Sequence, residues 1–351
     1  MSWTTLRRSL SAYRSPTRSS TSTGSEYNES DYNDEKIREL AITYEEIQKK
    51  TFTKWINSQL KDEEDQIVSI DLDLRDGKLL LKLLETLSKQ TLPKPEKLSM
   101  RIHSMSNVTK ALQFLEQNIG ESLKNIGSED IVDGNTKLTL GLVWLLILKF
   151  QIQQVDREEL IHSLEMNFEE PPGHNESLKN KGGSLSLPAT LSKKSSWSDL
   201  VSKKDIKGSL LLWVQNQLAL YGEMAPVVKD FHRSWKSGAA FSALINRHDP
   251  RLIAHPEVVQ TRVDRGKEEW RNILNDAFLV ANEAMGIPFL LDAEDIMNVD
   301  LPDEKSIMTY VSEYYKVMSK RQKDEEYCQT IEAVRKELDL ERHRKKLEEQ
   351  A

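Results

Sequence analysis

Residues 51–60 read TFTKWINSQL and residues 209–218 read SLLLWVQNQL. Aligned on Trp55 and Trp213, their apolar positions coincide: Phe52, Trp55, Ile56 and Leu60 answer to Leu210, Trp213, Val214 and Leu218, with Gln59 answering to Gln217. That spacing places the apolar side chains along one side of an amphipathic helix, with Lys50, Lys54, Asn57 and Lys61 opposite in the first copy. The match continues downstream. Gly77, Ala111 and the run Glu129, Asp130, Ile131 recur in the same order as Gly238, Ala277 and Glu294, Asp295, Ile296. One helical module is therefore present twice, and function is expected in surfaces that the pair presents together.

The stretches between these markers also read as helices. In module one, a second helix is expected from about Lys78 to Leu87, ended by Pro93 and Pro95. A third apolar stripe, Val108, Ala111, Leu112 and Leu115, follows Ser106 and Asn107, residue types suited to capping. Asp133 and Asn135 precede a buried helix that contains Trp144. In module two, Leu274, Ala277, Phe278 and Ala281 form the matching stripe, stopped by Gly286 and Pro288. Pro302, Asp303 and Glu304 open the last helix, since proline suits the first helical position and acids the first turn; Ile307, Met308, Tyr310, Val311, Tyr314 and Tyr315 are its apolar face.

No stretch alternates with period two, so the expected fold class is all-α: two helical domains in tandem plus a charged C-terminal helix. The expected organisation is a disordered tail over 1–35, a first domain over 36–155 and a largely disordered linker over 156–204. A second domain follows over 205–320, and the charged helix over 321–351. Trp197 stands alone in the polar linker and reads as an unburied aromatic there, with docking onto a module as the lesser alternative. The thin stripe Tyr327, Ile331, Val334, Leu338 and Leu347 offers pairing with a second copy of the chain.

Composition narrows the function classes. The chain has 351 residues and a net charge of −7. Module one balances its bases and acids and module two is slightly acidic, which argues against nucleic acid as a partner. Cys328 is the single cysteine, so there is no disulfide framework, and a reducing compartment fits. The apolar run Leu138 to Leu148 is far shorter than the roughly 20 residues a membrane-spanning helix needs. The first residues set Trp3, Leu6, Leu10 and Tyr13 on one helical face among arginines, a pattern shared with transit peptides but read here as a basic tail.

Candidate chemistry fails on spacing. Asp71, Asp73, Asp76 and Gly77 suggest a calcium loop, yet a loop starting at Asp71 has Asp76 where glycine is needed and Lys82 where a bidentate Glu is needed. His232, His248 and His255 match no common zinc spacing. There is no phosphate loop, and Cys328 has no histidine partner nearby in sequence. No enzyme activity, cofactor or metal is expected. Binding by helix faces remains, and one face differs between the copies. Thr53 and Lys54 of module one become Leu211 and Leu212 in module two, a pair of leucines outside the inward stripe that is expected to meet another surface.

These residues resemble the tandem calponin-homology actin-binding region of the spectrin and α-actinin family, over Lys49 to about Gln153 and Lys207 to about Lys320. Gln48, Thr51, Phe52, Trp55 and Asn57 fit the family's first actin-binding signature. Asn125 through Leu148, with Asp130, Ile131, Asp133, Gly134, Asn135 and Trp144, fit the second. Phe231, His232, Ser234, Trp235 and Gly238 resemble the family's helix and turn in module two, and Asp292 to Ile296 with Pro302 to Val311 lie nearest to α-actinins.

The resemblance implies binding of filamentous actin, as in actin crosslinking and bundling proteins of the cytoplasm and actin cytoskeleton. Its implied contacts are Lys50, Thr51, Thr53, Lys54, Asn57 and Ser58 on the first helix, then Lys110, Gln113, Lys137, Thr139 and Leu140, and more weakly Leu211 and Gln215. Trp144, Phe289 and Leu212 are implied at the contact between domains. Phe289 stands where α-actinins carry a lysine that meets the tryptophan equivalent to Trp144, so that cation–ring contact is expected to be absent. Gln217 to Val227 has no lysine or arginine, so phosphoinositide binding is not carried over. The long linker favours an open arrangement, although lengthening a closing loop from about 15 to about 50 residues costs only about 1 kcal/mol. A non-actin signalling scaffold and a microtubule binder are the alternatives within the same fold.

Overall fold

The computed structural model describes residues 29–60, 63–119, 123, 125–155, 206–322 and 324. Expectations for residues 1–28, for Trp197 and for residues 325–351 fall outside the described residues. Module one contains α1 (Glu29–Gln59), the short α2 (Ile70–Asp73), α3 (Lys78–Ser88), α4 (Arg101–Ile119), the short α5 (Ser128–Val132) and α6 (Thr136–Phe150). Module two contains α7 (Ile206–Ala219), α8 (Ala239–His248), α9 (Pro256–Val263), α10 (Lys267–Met285), the short α11 (Ala293–Met297) and α12 (residues 304–322). No strand occurs among the described residues, and the all-α class holds.

The repeated residues occupy repeated places. Phe52, Trp55 and Ile56 of α1 are fully buried, as are Leu210 and Val214 of α7, with Trp213 nearly so. Gly77 and Gly238 each precede a helix with φ of +74° and +77°. A Cβ at Gly77 would lie 2.7 Å from Asn107 Cβ and from the Val108 backbone nitrogen, and one at Gly238 2.8 Å from Ile273 Cγ2. Both the left-handed turn and the close approach of the next long helix require glycine. The acidic pair also repeats: Asp130 accepts from the Gly127 backbone at 2.9 Å and Asp295 from the Asp292 backbone at 2.8 Å, fixing the starts of α5 and α11.

Three local expectations change. α1 begins at Glu29, ahead of residue 36. Ser106 and Asn107 lie inside α4 and do not cap it; the buried Asn107 amide instead donates to Asp76 O and accepts from Glu96 N, holding two loops against the helix. Pro302 stays outside α12. Asp303 is the cap, accepting from the Ser306 backbone at 2.9 Å and the Ser306 hydroxyl at 2.7 Å.

The carboxylates and histidines that failed the metal tests have local tasks. Asp73 accepts from the Val68 and Ser69 backbones, and Asp71 accepts from the Thr136 hydroxyl at 2.8 Å, tying α2 to the start of α6. His255 caps α9 and His232 bonds to Pro302 O.

The modules are closed on one another. Buried side chains of both belong to one continuous cluster, and α7 packs against the turn Ile152–Gln154 that ends module one. This overturns the open arrangement expected from the linker, whose small closure cost is outweighed by the contacts between modules described below.

Gly77→Ala and Gly238→Ala are each expected to lower stability by about 1–3 kcal/mol, because both add backbone strain and a steric clash. Denaturant unfolding checks this, with Gly222→Ala as comparison, since a Cβ there meets nothing within 4 Å.

Candidate functional site

The side of α1 that turns away from its own core faces module two. Lys50 Nζ donates to Asp292 at 2.7 Å and also pairs with Asp295; Lys54 Nζ reaches Asp292 at 3.3 Å. Both carboxylates sit at the start of α11, where the helix end already favours negative charge. Burial pulls the Lys50 ammonium down, but the hydrogen bonds it donates to Asp292 and Asp295, with their charges, outweigh this and raise its pKa. Burial pushes Asp292 up, and the bond and charges of Lys50 and Lys54 bring it below the usual carboxylate range. Since Lys50 and Asp292 are 35% and 40% exposed, water screens the pair and each link is worth only about 0.5–1 kcal/mol.

Aromatic rings reinforce this clasp. Lys54 Nζ lies 5.6 Å from the Phe289 ring centre, and Lys305 Nζ lies 6.0 Å from that of Trp144. The expectation that Trp144 lacks a cation is therefore corrected. Lys305, at the start of α12, supplies one, while Phe289 receives the cation of module one. Trp144 also stacks on Phe52, with ring centres 6.3 Å apart and planes at 8°, which fixes α6 against α1.

A second band of contacts is buried and polar. The Trp55 indole donates to Gln151 Oε1 at 2.5 Å, and Gln151 Nε2 donates to Ser312 Oγ at 2.6 Å and Glu313 Oε1 at 2.9 Å. Gln59 Nε2 reaches the same Glu313 oxygen at 3.5 Å. Further along α1, Gln48 Nε2 donates to the buried Asp303 at 2.8 Å and Tyr44 donates to Leu301 O at 2.5 Å. Tyr315 donates to Gln154 O at 3.3 Å and meets Trp213 edge-on, joining the end of module one to α7.

The proposed contact residues divide by these facts. Thr51, Thr139 and Leu140 are buried, because they fall on the inward sides of α1 and α6, so they offer no surface to a partner. Lys50 and Lys54 are half-buried in the clasp. Asn57 is partly structural: its amide donates to Ile67 O and accepts from Ile67 N, both at 2.8 Å. Thr53 and Ser58 are half-exposed on α1; Gln113 of α4 and Lys137 of α6 are exposed; and Lys110 pairs with Glu96 at 2.9 Å. Leu211 and Leu212 are half-buried against the core, and the Gln215 amide donates to Val228 O at 2.8 Å.

Sequence reasoning missed Gln48, Gln151, Asp292, Asp303, Lys305 and Glu313 as interface residues. A polar residue amid the apolar face of the last helix, as Glu313 is, was the available signal.

The calponin homology (CH) domain family matches this chain twice, over residues 46–152 and 204–320. The spectrin β chain of Drosophila melanogaster is 42% identical over 286 residues, covering 81% of this chain and 10% of that protein. Human α-actinin-4 is 41% identical over 286 residues, covering 82% of this chain and 26% of its own length. The chain thus spans a minor part of these relatives. Among solved structures, the actin-crosslinking core of Schizosaccharomyces pombe fimbrin aligns with a TM-score of 0.50 at 18% identity, over 77% of this chain and 48% of that one, a likeness of fold.

Lys50→Met, which keeps the aliphatic stem and removes the charge, is expected to shift the modules toward separation by about 1 kcal/mol. A larger radius of gyration in solution scattering would read this, and the shift should vanish in an Asp292→Asn, Asp295→Asn background.

Proposed function

The chain belongs to the calponin-homology family, and from that membership we propose that it binds filamentous actin through module one while module two regulates access. The observation that carries this reading is the tandem match at about 40% identity to two actin-associated families, together with both actin-binding signatures in module one. The role is one of binding and not of catalysis, in the cytoplasm at the actin cytoskeleton. One tandem pair supplies one filament site, so crosslinking would require two copies to be brought together.

The contact surface we propose comprises the outer side of α1 with Lys50, Thr53, Lys54, Asn57 and Ser58, joined by Gln113 of α4 and Lys137 at the start of α6. Its cations suit an acidic filament, and their attraction is expected to weaken with salt. Closure matters because Lys50 and Lys54 are engaged by Asp292 and Asp295. A filament that uses those lysines has to displace module two first, so affinity contains the cost of opening as a separate term. Charge reversal at Lys50 or Lys54 consequently has two opposed effects, loss of a contact and release of the clasp, and is a poor single test.

Sedimentation with actin filaments at low salt tests the reading directly: the chain should pellet with filaments, and failure to do so would sink it. Lys137→Glu, outside the clasp, should weaken binding about three- to tenfold. Asp292→Asn with Asp295→Asn should strengthen it by about threefold to tenfold, by lowering the cost of opening.

A further inference from the structure

Glu313 is the least expected group between the modules. Counted from the helix caps, Asn135 for α6 and Asp303 for α12, it takes the place held by Leu145 in module one. It is 3% exposed. The donors that reach it from module one, Gln151 at 2.9 Å, Gln59 at 3.5 Å and the Trp55 indole beside them, are all neutral. Its cation is Lys316 of its own helix, 3.9 Å away on the outer side and 57% exposed. A carboxylate in such a place is poorly compensated, since buried charge normally requires a close, well-bonded counter-charge. When the modules part, the same carboxylate faces water.

We propose that closing of the two modules takes up a proton at Glu313, so that mild acidification holds the pair closed and withholds the α1 surface. The regulatory consequence rests on the actin-binding reading above; the proton-coupled closing does not.

The sign follows from burial. Desolvation pushes the Glu313 carboxyl above its ordinary 4.5, against the smaller opposing effects of Lys316, Gln151 and Trp55. A proton is thus held more tightly closed than open. The added preference for closing is complete below 4.5 and is lost as pH rises through the raised value.

Of the charged neighbours, Lys305 over Trp144 acts with the opposite sign, because burial pulls its ammonium down against the pull of Asp303 and Glu304, but from the ordinary 10.5 of a lysine and not from the carboxyl range. Asp303, at the start of α12, is pushed up by burial like Glu313 and acts with the same sign as it, but Ser306 holds it within module two. Tyr310 keeps its proton throughout, because burial raises its hydroxyl further. The clasp carboxylate Asp292 is held below 3.8, so its contribution fades only at lower pH than the window of Glu313.

Solution scattering of the whole chain without actin, from about pH 7.5 to about pH 4.5, is the test. The closed-to-open ratio should rise several-fold as pH falls toward 4.5, with tenfold per pH unit as the ceiling for one proton. Glu313→Gln, an isosteric neutral amide, should be compact at every pH. A radius that ignores pH in the wild type, or E313Q retaining the wild-type slope, would overturn the proposal. A readout that needs no variant is the carbon resonance of the Glu313 carboxyl, which should titrate above 4.5; a midpoint at or below that value also overturns it. Filament pelleting over the same pH range separates the two readings. A chain that closes on acidification yet never pellets supports proton-coupled closing and removes only the actin-binding role.

Discussion

Burial of α12 on every side is the constraint on which the rest of the arrangement depends. Each residue from 306 to 315 is buried, although only part of that circumference is apolar. Ile307, Tyr310, Val311 and Tyr314 fill the core of module two, where each large apolar side chain contributes about 1.5–3 kcal/mol by leaving water. The other side carries Thr309, Ser312 and Glu313, whose polar groups have to find partners once covered. Thr309 turns back to Lys305 O and Ser312 to Thr309 O, while Gln151 of module one serves Ser312 and Glu313 together. Module one therefore completes the hydrogen bonding of a helix that belongs to module two, and an apolar contact alone would not demand that particular neighbour.

The parts legible in the sequence were those governed by short-range periodicity. Helical spacing around Trp55 and Trp213 identified both first helices, and the repeated glycines marked turns that the structure forms with positive φ. Asn135 and Gly286 were correctly read as a start and a stop, since cap preference is set by the adjacent backbone. Asn107 misled because its side chain has the same hydrogen-bonding capacity inside a helix, where a loop supplies partners that local reasoning cannot see. The candidate contacts Thr51, Thr139 and Leu140 came from motif resemblance, which carries position in a signature but not the direction of a side chain; each points inward here. The contact between modules was misjudged for a different reason. Linker length enters closing only logarithmically, whereas the bonds from Gln48, Gln59 and Gln151 to α12 and its cap depend on residues far apart in sequence.

The duplication explains the fold, and its failures explain the contact. Lys50 corresponds to Gly208, Lys54 to Leu212, Asp292 to Gly127 and Glu313 to Leu145. None of these clasp or band residues has its counterpart in the other copy, so module two cannot present to module one the face that module one presents to it. The contact is directional for this reason.

That asymmetry places cations on one module and their carboxylates on the other, with the cations on the side of α1 proposed to meet a filament. Half-exposed lysines suit both uses. Their clasp bonds, weakened by water to about 1 kcal/mol or less each, can be exchanged for bonds to another acidic surface at little net cost. The buried band around Glu313 cannot be exchanged in the same way, because opening leaves the Gln151 amide nitrogen, the Ser312 hydroxyl and the Glu313 carboxyl to be satisfied by water. Closing thus divides into an outer layer that a partner can compete for and an inner layer governed by the burial of one carboxyl. A ligand acting on the outer layer alone would have to supply the opening energy of the inner one.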